Sequence, residues 1–185
     1  MENHEMQDNM TTDRGILTGM FRDRESTENA YNTLHERGYS KDDINLLMSE
    51  DTRKKHFSGD VMKTEIGTKA AEGAGKGSAI GGTVGAIAGV IAAVGTSLVI
   101  PGLGLVIAGP IAAGLAGAGA GGLTGGIIGA LVGSGIPEER ARLYDTGVKN
   151  GNIVLGVKPR NQDDAKYFEE KWRANRAEEI YSGKV

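Results

Sequence analysis

The chain has 185 residues, a formal net charge of −3, no cysteine and 5% aromatic residues. That length suits one domain, or one domain carrying an insertion; the missing cysteine excludes disulfides and thiolate metal sites. Lysines and arginines are spread over both polar ends, so no concentrated basic face offers itself to a phosphate backbone, and nucleic acid is not expected as a partner.

"MENHEMQDNMTTDR" is acidic and has no apolar run. Residues 1–13 therefore read as a disordered tail and not as a secretory signal. "GILTGMF" (15–21) brings together Ile16, Leu17, Met20 and Phe21 and reads as a strand. Ser26 is the expected N-cap of a first helix, with Ala30 and Leu34 at helical spacing and Gly38 as its stop. "INLLM" (44–48) reads as a second strand, entered through the turn "GYSKDD".

Residues 77–136 then contain no Asp, Glu, Lys, Arg or His. A phosphate-loop reading of "GKGSAIGG" fails on spacing, because a Walker A loop needs Gly, four residues, then Gly-Lys and Ser or Thr. The better pattern is a step of four: Gly73, Gly77, Gly81, Gly85 and Gly89, and then Gly117, Gly121, Gly125, Gly129 and Gly133. Residues four apart share a helix face, and a row of glycines lets a neighbouring backbone come close, as in membrane helices. Ile80, Val84, Ile87, Ile91, Val94 and Leu98 form a large-residue stripe on the first arm. Pro101, Gly102, Gly104 and Pro110 mark the expected reversal. The expectation is a helical hairpin with arms of about 24 residues, ~36 Å each, against a hydrocarbon core of ~30 Å.

"GIPEERARLYDTGVKNG" opens a helix with Pro137 in its first turn and Glu138 and Glu139 beside the positive dipole end. "NIVLGV" (152–157) reads as a third strand, "QDDAKYFEEKWRANRAEE" as a third helix with Ala165, Phe168 and Trp172 on one side, and "IYSGKV" as a short fourth strand. "ILTGMFRDRESTENAY" and "IVLGVKPRNQDDAKYF" echo each other. The expected fold is α+β: a ferredoxin-like βαβ–βαβ domain with two helices on one face, interrupted by the glycine-rich hairpin. Its parts are a tail (1–13), a first half-domain (14–65), the hairpin (66–136) and a second half-domain (137–185).

"GMFRDRESTENAYNTLHERGYSKDDINLLMSED" resembles the 17M-like general stress protein domain of bacteria. The layout that follows, with "IPGLGLVIAGP" and "GIPEERARLYDTGVKNGNIVLGV", is similar to longer bacterial relatives that carry a glycine-zipper hairpin inside that domain. The resemblance implies a stress-induced, non-enzymatic protein and transfers no catalytic residues.

The remaining candidates have plain readings. His4, His35 and His56 are far apart in sequence and suggest no metal site. Asp42-Asp43, Glu138-Glu139 and Asp163-Asp164 sit at helix starts, where capping and dipole effects account for them. Lys54, Lys55, Lys63, Lys69 and Lys76 suit lipid headgroups or a solvated face. No catalytic, cofactor-binding or metal-binding residue is assigned, and neither a cofactor nor a small-molecule substrate is expected. The expected partners are the protein itself, as a homo-oligomer, and the lipid bilayer. The expected role is a membrane-inserted stress protein with its polar domain on the cytoplasmic side. The alternative is a soluble, cytoplasmic homo-oligomeric scaffold whose hairpins pack together away from lipid.

Overall fold

The computed structural model describes residues 15–57, 98–100, 104–112 and 126–183. These form an α+β fold around one six-stranded sheet. The strands are β1 (Leu17–Phe21), β2 (Ile44–Ser49), β3 (Leu98–Ile100), β4 (Leu105–Ala108), β5 (Ile153–Val157) and β6 (Glu178–Ser182), in the spatial order β3-β4-β2-β5-β1-β6. Every pairing is antiparallel. The central strand β5 pairs with β1 through Gly19↔Leu155 and with β2 through Leu46↔Leu155.

Successive side chains on a strand point to opposite faces, and here both faces are apolar. Leu17, Phe21, Ile44, Leu46, Met48, Val106, Ala108, Ile153, Leu155 and Val157 feed one cluster. Ile16, Met20, Leu47, Leu105, Ile107 and Val154 feed the other. That explains why the strands read as near-continuous apolar runs, the signature of a sheet covered on both sides.

The first face is covered by α1 (Arg24–Glu36) and α5 (Gln162–Ala174), with Phe57 from the helical stretch at 50–57, here α2. Its rings interlock edge to face, Phe21 with Trp172 at 5.8 Å and Tyr39 with Phe168 at 5.1 Å. The Trp172 indole N–H donates to the Ala30 carbonyl at 3.2 Å. The cap of α1 is Asp23, whose carboxylate accepts from the Ser26 N–H at 2.7 Å; this corrects the expectation of Ser26 as cap. The acidic side chain wins because it satisfies an orphan N–H and also sits at the positive end of the helix dipole.

The second face is covered by α3 (Gly126–Gly133) and α4 (Glu138–Lys149), both contributed by the stretch between β2 and β5. Helices therefore lie on both faces of the sheet, and not on one.

The membrane-crossing helical hairpin expected over 66–136 needs correction. Its first arm lies almost wholly outside the described residues. Leu98–Ile100 and Leu105–Ala108 are strands, paired to each other through Ile100↔Leu105 and to β2 through Leu47↔Ile107. In the second arm the longer described helix is α3, only eight residues. Among the described residues no helix is long and apolar enough to cross a membrane. The physical reason lies at the expected apex: β-branched Val and Ile suit a pleated surface, and the edge of β2 supplies the hydrogen bonds they need.

Candidate functional site

The glycine-rich stretch leaves the sheet at Gly109, directly after β4, and part of it lies as α3 on the second face. Gly109 holds φ +94°, and a Cβ placed there would overlap the Ile44 carbonyl. Only glycine lets the chain turn this close to β2. One residue on, a short helical turn (110–112) is tied down by Asn45, whose Oδ1 accepts from the Ile111 N–H at 2.8 Å. The Asn45 amide donates to the Gly156 carbonyl at 3.4 Å. A buried polar side chain thus has its needs met on both sides.

Below α3, Ile127, Ala130 and Leu131 press onto Leu47, Ile107 and Val154. A small gap of about 10 Å³ remains between them, bordered by Thr18 and Asn45 and otherwise by apolar groups and Gly156. That is about the space of one water molecule, too little for a substrate. On the outer side of α3, Gly129 and Gly133 are exposed and Val132 is 43% exposed. Among the described residues no atom lies within 4 Å of a Cβ built at Gly129 or Gly133.

Of the expected site residues, Gly73, Gly77, Gly81, Gly85, Gly89, Gly117, Gly121, Gly125, Pro101 and Gly102 lie outside the described residues. Gly104 turns at φ +62° beside β4, and its carbonyl accepts from the Glu50 N–H at 2.6 Å. Pro110 opens the helical turn at 110–112. Gly129 and Gly133 share one exposed side of α3.

Two buried polar groupings escaped sequence reasoning. In the first, the Thr18 and Tyr144 hydroxyls meet at 2.8 Å, and Tyr144 donates onward to the Glu179 carbonyl at 2.6 Å. Burial first of all pushes the Tyr144 phenol up to about 12. In the second, the Tyr39 hydroxyl donates to Asp164 at 2.8 Å and accepts from the Arg160 N–H at 2.6 Å. Arg37 pairs with Asp164 at 3.1 Å, and the Arg160 guanidinium lies 4.1 Å over the Tyr39 ring. Burial also dominates the rise of Tyr39 to about 12. This clasp joins the loop after α1 to the loop before α5. Both groupings link residues more than a hundred positions apart, so no local spacing could have signalled them.

One residue of each acidic pair has a structural partner. Asp43 closes a capping box with Ser40, whose backbone N–H is the main reason its carboxyl is held below the usual range. Glu138 pairs with Arg142 at 2.5 Å. Asp164 belongs to the clasp. Among the described residues no group of three His, Cys, Asp or Glu could hold a metal ion. Comparison of the chain with family models, curated proteins and solved structures finds no match.

Proposed function

We propose that this protein is a non-enzymatic, self-associating scaffold whose glycine-rich segment packs against protein and not lipid. The observation that carries the reading is the seam itself: Leu105, Ile107, Ala112, Ile127, Ala130 and Leu131 spend their apolar area on the second face of the sheet. At ~25 cal/mol per Å² of apolar area, that burial draws these parts of the segment to the sheet. The exposed Gly129, Val132 and Gly133 side of α3 then offers a close-approach surface for a neighbouring copy, on the same small-residue logic that packs helices elsewhere.

The finer fold reading belongs here as well. The four strands outside the glycine-rich segment run β6-β1-β5-β2, with α1 and α5 on one face, and this supports a ferredoxin-like domain built from two βαβ units. In that reading α3 and α4 are an added cover on the other face. A role in the bacterial stress response rests only on the resemblance of residues 19–51 and of the segments that follow.

The test is the mass of the full chain in detergent-free buffer over a range of concentrations. The expected result is a discrete oligomer, reduced to a smaller species by Val132→Glu, with the far-ultraviolet circular dichroism of the fold unchanged. A monomer at every concentration ends the reading.

A further inference from the structure

Among the described residues, left-handed backbone at a residue other than glycine occurs at Arg176 (φ 61°) and Glu179 (φ 50°). Both lie in one stretch, the connection from α5 into β6 and the second residue of that strand. The first half of the chain shows what belongs there. After α1, Gly38 takes φ +74° and the Tyr39 N–H donates to the Leu34 carbonyl; after α5, Arg176 takes the left-handed turn and the Ala177 N–H donates to the Trp172 carbonyl. The same helix stop is made with glycine once and with arginine once. An L-residue in that region is strained, and strain kept at one place is a pointer to function.

β6 is also the edge strand, partly exposed, with a register slip opposite Thr18 and Met20. It is held to its own chain by its ladder with β1, by Ile180 packed on the first cluster and Tyr181 on the second, and by a small set of polar ties. Tyr144 bonds the Glu179 carbonyl, Arg140 pairs with the Glu179 carboxylate, Arg22 pairs with Glu178 at 2.7 Å, and the Gly183 N–H reaches the Ile16 carbonyl at 3.0 Å.

We propose that β6 exchanges between two copies, each chain's last strand leaving its own β1 and filling the same place on the other's. This rests on the self-association proposed above and adds a joint separate from the glycine-rich segment. Short hinges under strain invite such exchange, and the hinge here is residues 175–177. When the hinge extends, Arg176 leaves the left-handed region. Glu179 does not gain in the same way, because its bulge is rebuilt on the partner's β1. The fit of the incoming strand is already fixed: Leu17↔Ser182, Thr18↔Tyr181 and Met20↔Glu178.

Arg176→Gly removes hinge strain from the closed chain alone. The expected effect is a dimer weaker by roughly fivefold per hinge, about 25-fold for two. Glu179→Gly relieves closed and exchanged forms alike, so the dimer constant stays while exchange slows. Sedimentation of the full chain reads both. The chain has no cysteine, so Leu17→Cys with Ser182→Cys makes a clean reporter, with Met20→Cys and Glu178→Cys as the second pair if the first does not fold. Oxidation of the dimer fraction should give covalently joined dimers on a non-reducing gel. Disulfides confined within single chains of a persisting oligomer, or a dimer indifferent to Arg176→Gly, overturn strand exchange and leave self-association standing. A chain monomeric at every concentration removes self-association itself.

Discussion

Replacing Tyr144 by phenylalanine removes a single oxygen from a buried relay and leaves the ring that fills the second core. The Thr18 hydroxyl, on a residue 1% exposed, loses its partner. A buried hydroxyl without a partner costs about 1–3 kcal/mol. The Glu179 carbonyl loses a donor too, but it belongs to an exposed residue and regains water. The expected loss is therefore about 1–2 kcal/mol. Thr18→Val alone leaves Tyr144 still bonded to Glu179 and should cost less. With both changes no unpaired hydroxyl remains, so the double variant should lose about 1 kcal/mol less than the sum of the singles. Urea unfolding followed by Trp172 fluorescence measures this. Trp172 is the sole tryptophan, fully buried, and sits in the core on the opposite face of the sheet, so neither substitution disturbs the probe. Losses that add to within about 0.5 kcal/mol would refute the relay as a unit.

The same phenol predicts an alkaline limit. Its value rises from the ordinary 10.0 to about 12, so the folded state holds a proton that the unfolded state gives up. That stability is whole below pH 10 and is lost as pH climbs from 10 through 12, on the order of 3 kcal/mol in all; a Tyr144→Phe variant should show a flatter curve over that window. Gly109→Ala forces a side chain into the Ile44 carbonyl at a left-handed position, and a loss of more than about 3 kcal/mol in urea is expected; retention of wild-type stability would mean that β4 does not lie on β2. Asp23→Ala should cost about 1 kcal/mol and Ser26→Ala clearly less, and the reverse order would return the cap to Ser26.

Much of this molecule is legible in the residues taken in order. The apolar runs at 17–21, 44–49 and 153–157, the helices that Gly38 and Gly151 stop, and the echo between the two halves all follow from local preferences. Those preferences act within a few residues of one another. Residues 98–108 show the limit. The two apolar stretches there, LVI (98–100) and LVIA (105–108), satisfy a helical spacing and a strand equally well, and nothing inside either stretch chooses between them. The choice came from outside them, from the unpaired edge of β2, whose backbone groups must find partners. Gly109 allows the approach that brings those partners together. The relay through Tyr144 and the clasp through Tyr39 have the same origin: each joins side chains that only the folded sheet brings within hydrogen-bond reach. Composition and spacing alone determined where the chain is apolar and where it turns. Tertiary structure decided what the apolar parts lie against, because hydrogen bonds and buried area are satisfied between segments far apart in sequence.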